Sequence, residues 1–154
     1  GGLFVGNESE RKSILRLIAE YNPYLLDVEF NTIQKDKKLA SYLKKSKCKL
    51  LISWHDFKKT PNESQLKSRF NKMRKFSNVV KIVTVAKNVS DASRLLSLYS
   101  IKSKNKTVAF CMGDQGKFSR ILCLHLGSPF TYVSLGKAIA PGQFSVDEIK
   151  SLEN

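Results

Sequence analysis

Two side chains set into apolar segments, Lys81 and His55, are the residues of this sequence best placed to do chemistry. Lys81 stands inside Val79-Val80-Lys81-Ile82-Val83, where an ammonium would be poorly solvated. Burial disfavours the charged form of lysine, and a neutral amine is a nucleophile suited to Schiff-base formation with a carbonyl. The competing reading is a lysine at the start of a strand that snorkels to water. His55 closes the run Lys49–His55, in which Lys49, Leu51, Ser53 and His55 share a face by strand parity. It is either a structural residue or a proton carrier at the C-terminal rim of a parallel strand, where α/β enzymes place their sites. Asp27 and Glu29 share parity on an earlier strand. They either orient His55 or Lys81 or form a structural polar layer. Arg120 follows Gly113-Asp114-Gln115-Gly116 in the first turn of a helix, where it could fork onto a carboxylate or simply face solvent. Ala140-Pro141-Gly142-Gln143 is a constrained loop whose glutamine offers an amide.

The elements that must position these residues alternate in type. Ile14, Leu15, Leu17, Ile18 and Tyr21 recur at helical spacing, and Tyr24–Phe30 reads as a strand. Asn31–Lys47 reads as one lysine-rich, solvated helix and Lys49–His55 as the next strand. Thr60-Pro61-Asn62-Glu63 predicts a helix start with Thr60 as N-cap and Glu63 closing a capping box. Leu66, Phe70 and Met73 supply its buried stripe. Val79–Val85, Lys106–Met112 and Phe130–Leu135 are further strands, separated by helices over Asn88–Ser103 and Lys117–Leu126. Ser145-Val146-Asp147-Glu148 opens a terminal helix with a second capping box. About five strands alternating with about six helices predict an α/β domain with a parallel sheet. The strands are apolar on both parities, as a sheet covered on both faces requires. No repeat or linker divides the chain, so residues 1–154 read as one domain.

The chain's 154 residues are 42% hydrophobic and 26% charged, which argues against general disorder. Its formal charge of +14 suggests a polyanionic partner. However, Lys35, Lys37, Lys38, Lys44, Lys45, Lys47, Lys58, Lys59, Lys67, Lys72, Arg74 and Lys75 lie mostly on predicted outer helix faces. Aromatic residues do not interleave with them as on a single-strand binding surface, so we expect no nucleic-acid partner. No apolar run is long enough for a membrane-spanning helix, and no membrane partner is expected. Cys48, Cys111 and Cys123 form no CxxC pair and no zinc-type cluster with His55 and His125. A reducing compartment, the cytoplasm, is therefore expected.

Ile52-Ser53-Trp54-His55-Asp56-Phe57, followed by Thr60-Pro61, resembles the S-x-H-D-F-x-x-T-P stretch of type I 3-dehydroquinate dehydratases. The Lys81 strand, the turn from Met112-Gly113 to Arg120, and Ala140-Pro141-Gly142-Gln143 follow in that family's order, over essentially the whole chain. The resemblance implies a (β/α)8 TIM barrel that converts 3-dehydroquinate to 3-dehydroshikimate plus water, the third step of the shikimate pathway. Lys81 matches the Schiff-base lysine and His55 the general acid/base, with Arg120 and Gln143 matching residues that hold the substrate carboxylate and hydroxyls. The implied chemistry needs no metal or organic cofactor, and the family often forms homodimers.

Two departures from the pattern stand out. Ile139 occupies the position four before the glutamine that usually carries a hydroxyl. Gly1-Gly2 match the glycines of the family's E-G-G segment after the third strand, which puts the glutamate that pairs with the histidine just before Gly1. On that match Asp27 and Glu29 are the D-x-E of the fourth strand, available to support His55. The chain is then expected to hold strands 4–8 of an incomplete barrel, with little or no activity by itself. The rival readings are another Schiff-base barrel enzyme of the class I aldolase kind, and a basic nucleic-acid-binding domain. The first shares the buried lysine but does not require His-Asp-Phe on the preceding strand.

Overall fold

The computed structural model describes residues 4–152, so the Gly1-Gly2 correspondence lies outside the described residues. Four strands, β1 (Leu26–Glu29), β2 (Leu50–Asp56), β3 (Val79–Val85) and β4 (Lys106–Met112), form one parallel sheet in sequence order. Seven helices accompany them among the described residues: α1 (Glu8–Glu20), α2 (Phe30–Lys35), α3 (Lys37–Lys45), α4 (Glu63–Met73), α5 (Val89–Leu96), α6 (Ser119–His125) and α7 (Val146–Leu152). Strands that neighbour each other in sequence and in space, joined by helical crossovers, give an α/β arc whose edges are β1 and β4 among the described residues.

Strand parity sorts the side chains onto two faces. Val28, Ile52, Trp54, Val80, Ile82, Ala109 and Cys111 point outward into a core shared with Leu39, Leu43, Leu66, Phe70, Met73 and Leu95 from the helices. The opposite face carries Asp27 and Glu29, Ser53 and His55, Lys81 and Val83, then Phe110 and Met112. The register places Glu29, Ser53 and Lys81 in one row across three strands. Polar residues therefore meet on the inner face because the outer face takes the apolar ones.

Several local expectations are corrected. Asn31–Lys47 is not one helix. The chain breaks at Asp36, whose extended backbone lets its carboxylate accept from Leu39 N at 2.9 Å and start α3 afresh. Asn62, not Thr60, caps α4 by accepting from Gln65 N at 2.9 Å. Thr60 is buried instead, pairing with the Thr84 hydroxyl at 2.7 Å and donating to the Val85 carbonyl at 2.9 Å. The helix expected over Asn88–Ser103 ends earlier, with α5 passing into a 3-10 turn at Ser97–Ser100. Ser145 does form the expected capping box with Glu148 at the start of α7.

The fifth strand expected at Phe130–Leu135 is absent as a strand among the described residues. That segment makes a single parallel bridge, Ser134 to Ser145, and no ladder with β4. Its apolar residues reflect side-chain packing rather than strand pairing. Phe130 and Tyr132 pack against the inner-face cluster of Val83, Val108, Phe110 and Met112, while the backbone between them stays out of the sheet. On α1, Ala19 is buried and Leu15 packs partly, whereas Ile14, Leu17 and Ile18 remain exposed.

Candidate active site

The inner face of the sheet and the loops beyond it enclose a cavity of about 470 Å³. Asp27, Glu29, His55, Lys81, Arg120 and Gln143, the six residues singled out in the sequence, all line it. They arrive there from four elements and one loop, brought together by parallel register and not by nearness in sequence.

Lys81 is 8% exposed, and its Nζ donates to Asp27 Oδ2 at 3.0 Å and to the Tyr132 hydroxyl at 3.4 Å. The Tyr132 ring also lies beneath the ammonium, 4.4 Å from Nζ to its centroid. Burial pushes the lysine down, as the sequence suggests, but the charge and hydrogen bond of Asp27 together with Tyr132 outweigh it. The net direction is upward, so the resting amine is held charged. Tyr132→Phe is expected to keep the ring and lose the hydroxyl acceptor, which lowers the Lys81 pKa. The limb of kcat/KM that rises as Lys81 sheds its proton should then move to lower pH. An unshifted pH profile would contradict this coupling.

His55 sits at the C-terminal end of β2, where Nδ1 meets Glu29 Oε1 at 2.7 Å. Phe57 stacks on the imidazole at 5.6 Å between centroids, with 13° between ring planes. With Nδ1 held by a carboxylate, Nε2 is the nitrogen left to exchange protons. Burial pushes the Glu29 carboxyl up, but the hydrogen bond and charge of His55, with Lys81 further off, bring it below the usual range. The loop after His55 is locked by local bonds. Asp56 Oδ1 accepts from Lys58 N at 2.9 Å and Lys59 N at 3.1 Å, and Arg94 reaches the Thr60 carbonyl at 3.5 Å. The Asp and Thr of the H-D-F-x-x-T-P stretch thus shape the turn that holds the histidine.

Arg120 is 2% exposed, with its guanidinium 4.5 Å from the centroid of the Phe110 ring. One long bond runs from Nη2 to the Pro141 carbonyl at 3.4 Å, and Nε has no hydrogen-bond partner among the described residues. Burial lowers its pKa, although an arginine remains charged. Among the described residues no carboxylate ion-pairs with this guanidinium, and a buried, unpaired guanidinium is costly unless an anion meets it. Gly142 sets the loop above it. Its φ is 69°, and a Cβ there would lie 2.6 Å from the Gly113 carbonyl oxygen, so only glycine lets the loop pack against the end of β4. The Gln143 Oε1 accepts from Ile139 N and Ala140 N at 2.9 and 3.2 Å, which leaves its NH2 group to donate into the cavity. Ile139 is 85% exposed at the cavity mouth and brings no hydroxyl to it.

With this geometry in view, comparison with known proteins gives a consistent result. The family model for Type I 3-dehydroquinase matches residues 1–153. The chain belongs to this family. It is similar to the 3-dehydroquinate dehydratase of Pyrobaculum aerophilum, with 42% identity over 149 residues covering 96% of this chain and 48% of the relative. It is also similar to that of Dehalococcoides mccartyi (strain ATCC BAA-2100 / JCM 16839 / KCTC 5957 / BAV1), with 38% identity covering 97% of this chain and 68% of the relative. Among solved structures, the type I 3-dehydroquinate dehydratase of Clostridium difficile superposes with a TM-score of 0.86 at 26% identity. The match covers 99% of this chain and 63% of that one. The chain therefore spans from about half to two thirds of the length of these family members.

The structure also brings to the cavity residues that the sequence did not single out. Tyr132 comes from the segment read as a strand, and its parity with Phe130 was the available signal. Arg11 comes from α1, where its guanidinium bonds Glu8 at 2.6 and 2.8 Å and the Thr32 hydroxyl, and nothing in the spacing marks it. No group of three or more His, Cys, Asp or Glu among the described residues is arranged to hold a metal.

Proposed function

We propose that the protein carrying this chain dehydrates 3-dehydroquinate to 3-dehydroshikimate through an imine on Lys81. The observation that carries this reading is the pairing, in one cavity, of a buried amine with a buried guanidinium that has no carboxylate partner among the described residues. A substrate with both a ketone and a carboxylate satisfies both groups at once.

Each step follows from the residues present. The Lys81 ammonium must first lose a proton, and Asp27 is the base in contact with it. The nitrogen lone pair then adds to the ring ketone, and loss of water leaves a protonated imine. That cation acidifies the adjacent C–H. His55, steadied by Glu29, removes the proton and returns one to the departing hydroxyl, which leaves as water. Hydrolysis of the product imine frees Lys81. Arg120 holds the carboxylate while the Gln143 amide donates to a ring hydroxyl, so that ring placement does not depend on the covalent bond alone.

We read the described residues as one unit, an arc of four consecutive strands from a (β/α)8 barrel. The site then lies at the C-terminal rim, where such barrels place their chemistry. The cytoplasm fits three cysteines that are all buried and unpaired. A homodimer is carried by the family resemblance alone. No described helix is long and apolar enough to cross a membrane, and the lysine coat expected on outer faces is exposed, with Arg74 half-buried.

The test is turnover of 3-dehydroquinate by the protein at its full natural length, followed as the conjugated product forms, with sugar phosphates as the competing substrate class. Arg120→Gln should raise KM and lower kcat/KM on the order of 100-fold, because a charge-assisted bond to the carboxylate is lost. Cleavage of sugar phosphates in place of dehydration would overturn the proposal.

A further inference from the structure

Ser53 occupies the middle of the row formed by Glu29, Ser53 and Lys81 across β1, β2 and β3. It is 1% exposed, lines the cavity, and its Oγ has no hydrogen-bond partner among the described residues. The Thr131 hydroxyl shares this condition, whereas several other buried hydroxyls have partners. Thr84 pairs with Thr60 at 2.7 Å, Ser119 donates to the Gly116 carbonyl and accepts from Cys111 N, and Ser128 donates to the Phe130 carbonyl. A buried hydroxyl left without a partner costs stability, and alanine would fill this position without that cost. The packing therefore gives no reason for a serine here. The cavity does.

Directly paired residues on neighbouring strands carry side chains that reach each other on a shared face. Lys81 is such a neighbour of Ser53, and on the reading proposed above its Nζ is the atom that attacks. When that nitrogen bonds to the ketone carbon, the C=O π pair moves onto the oxygen. The oxygen gains negative charge one carbon away from Nζ, within the cavity that Ser53 lines. We propose that the Ser53 hydroxyl donates a hydrogen bond to this oxygen, stabilising it as the N–C bond forms. The oxygen takes one proton from the attacking nitrogen, which restores the nitrogen lone pair. It takes a second from Asp27, which had received it from the Lys81 ammonium, so that the C–O bond breaks and water leaves. The nitrogen lone pair closes the C=N bond, and Ser53 keeps its own proton throughout. Ser53 is on this account a catalytic residue of imine formation. It stands apart from the groups that hold the carboxylate and move the ring proton.

The inference rests on the imine reading, and one experiment separates the two. The protein at its full natural length is mixed with 3-dehydroquinate, quenched with borohydride at successive times, and the adduct is quantified by intact mass. Ser53→Ala should form the adduct about a hundredfold more slowly, the effect expected of removing one donor to a developing oxyanion. Its thermal midpoint should be unchanged or higher, because an unpartnered buried hydroxyl has been removed. Ser53→Cys, with similar volume and a weaker donor, should fall between the two. Adduct formation in Ser53→Ala at the unsubstituted rate overturns the proposal. A lowered thermal midpoint in both variants also overturns it, since the hydroxyl would then be structural. Absence of any adduct in the unsubstituted protein would instead refute the imine reading itself.

Discussion

Replacing Lys81 with alanine is expected to lower kcat on 3-dehydroquinate on the order of 10⁴-fold or more, because the proposed reaction path runs through its nitrogen at every step. The substitution removes the electron sink, and no other described residue offers a buried amine to the cavity: Lys81 is the one lysine among the buried polar side chains. Binding should suffer far less. Arg120 and Gln143 remain in the cavity, and on the proposed reading they hold the carboxylate and a hydroxyl. A kcat collapse with KM within a few-fold of the unsubstituted value is therefore the signature. The fold should tolerate the change. Asp27 is half-exposed and can turn to water once its partner is gone, and the inner face keeps Val83, Phe110 and Met112 packed. Steady-state kinetics alongside thermal unfolding checks both halves of the expectation. Retention of more than about a hundredth of the activity would contradict it.

The second large effect belongs to His55. His55→Ala should cost about 10²–10⁴-fold in kcat, the usual contribution of a positioned proton carrier. The loss should fall on proton abstraction and leave capture of the ketone by Lys81 largely in place. A deuterium label on the substrate's acidic carbon should then show a larger isotope effect than in the unsubstituted protein. Glu29→Gln supplies the graded control, since it keeps a hydrogen-bond acceptor beside Nδ1 and removes its charge. The sign of the pH dependence also follows. The Glu29 carboxyl is depressed in the folded protein, so its contribution to stability is present above its unfolded value and lost as pH falls through the lowered one. Glu29→Gln should therefore flatten acid unfolding at the low end of the pH range. An unchanged acid transition would show that the pair contributes nothing to the fold.

What could be read from the residues divides along the range of the interactions. The apolar strands and their order were legible because burial on both faces writes a near-continuous β-branched pattern, as in Val79–Val85. The lysine and histidine were legible because a charge inside such a pattern needs an explanation. Side-chain parity was enough to group Asp27 with Glu29 and Ser53 with His55. It cannot give the register between strands, which sets Glu29 beside Ser53 and Lys81, nor the diagonal contacts of Glu29 with His55 and Asp27 with Lys81 that follow from it. The direction of the Lys81 pKa is hidden from the sequence for the same reason. Burial is visible along one strand, whereas the compensating carboxylate and phenol come from 54 and 51 residues away. Phe130–Leu135 shows the opposite failure. Its apolar side chains do pack on the inner face, but an extended apolar segment can pack there with or without a ladder. At Thr60 and Asp36 the competition was between caps. A threonine that finds Thr84 and Val85 has no need to cap a helix, and an aspartate that can cap one breaks a run of lysines otherwise suited to a single helix.

The central claim is that Lys81 carries the substrate as an imine, with Arg120 holding its carboxylate. Its most direct test is borohydride reduction of the protein, at its full natural length, in the presence of 3-dehydroquinate, followed by proteolysis and peptide mass spectrometry. A stable secondary amine is expected on the peptide containing Lys81, absent from Lys81→Ala and formed at higher substrate concentration in Arg120→Gln. Turnover without any adduct, or an adduct carried by another lysine, would contradict it.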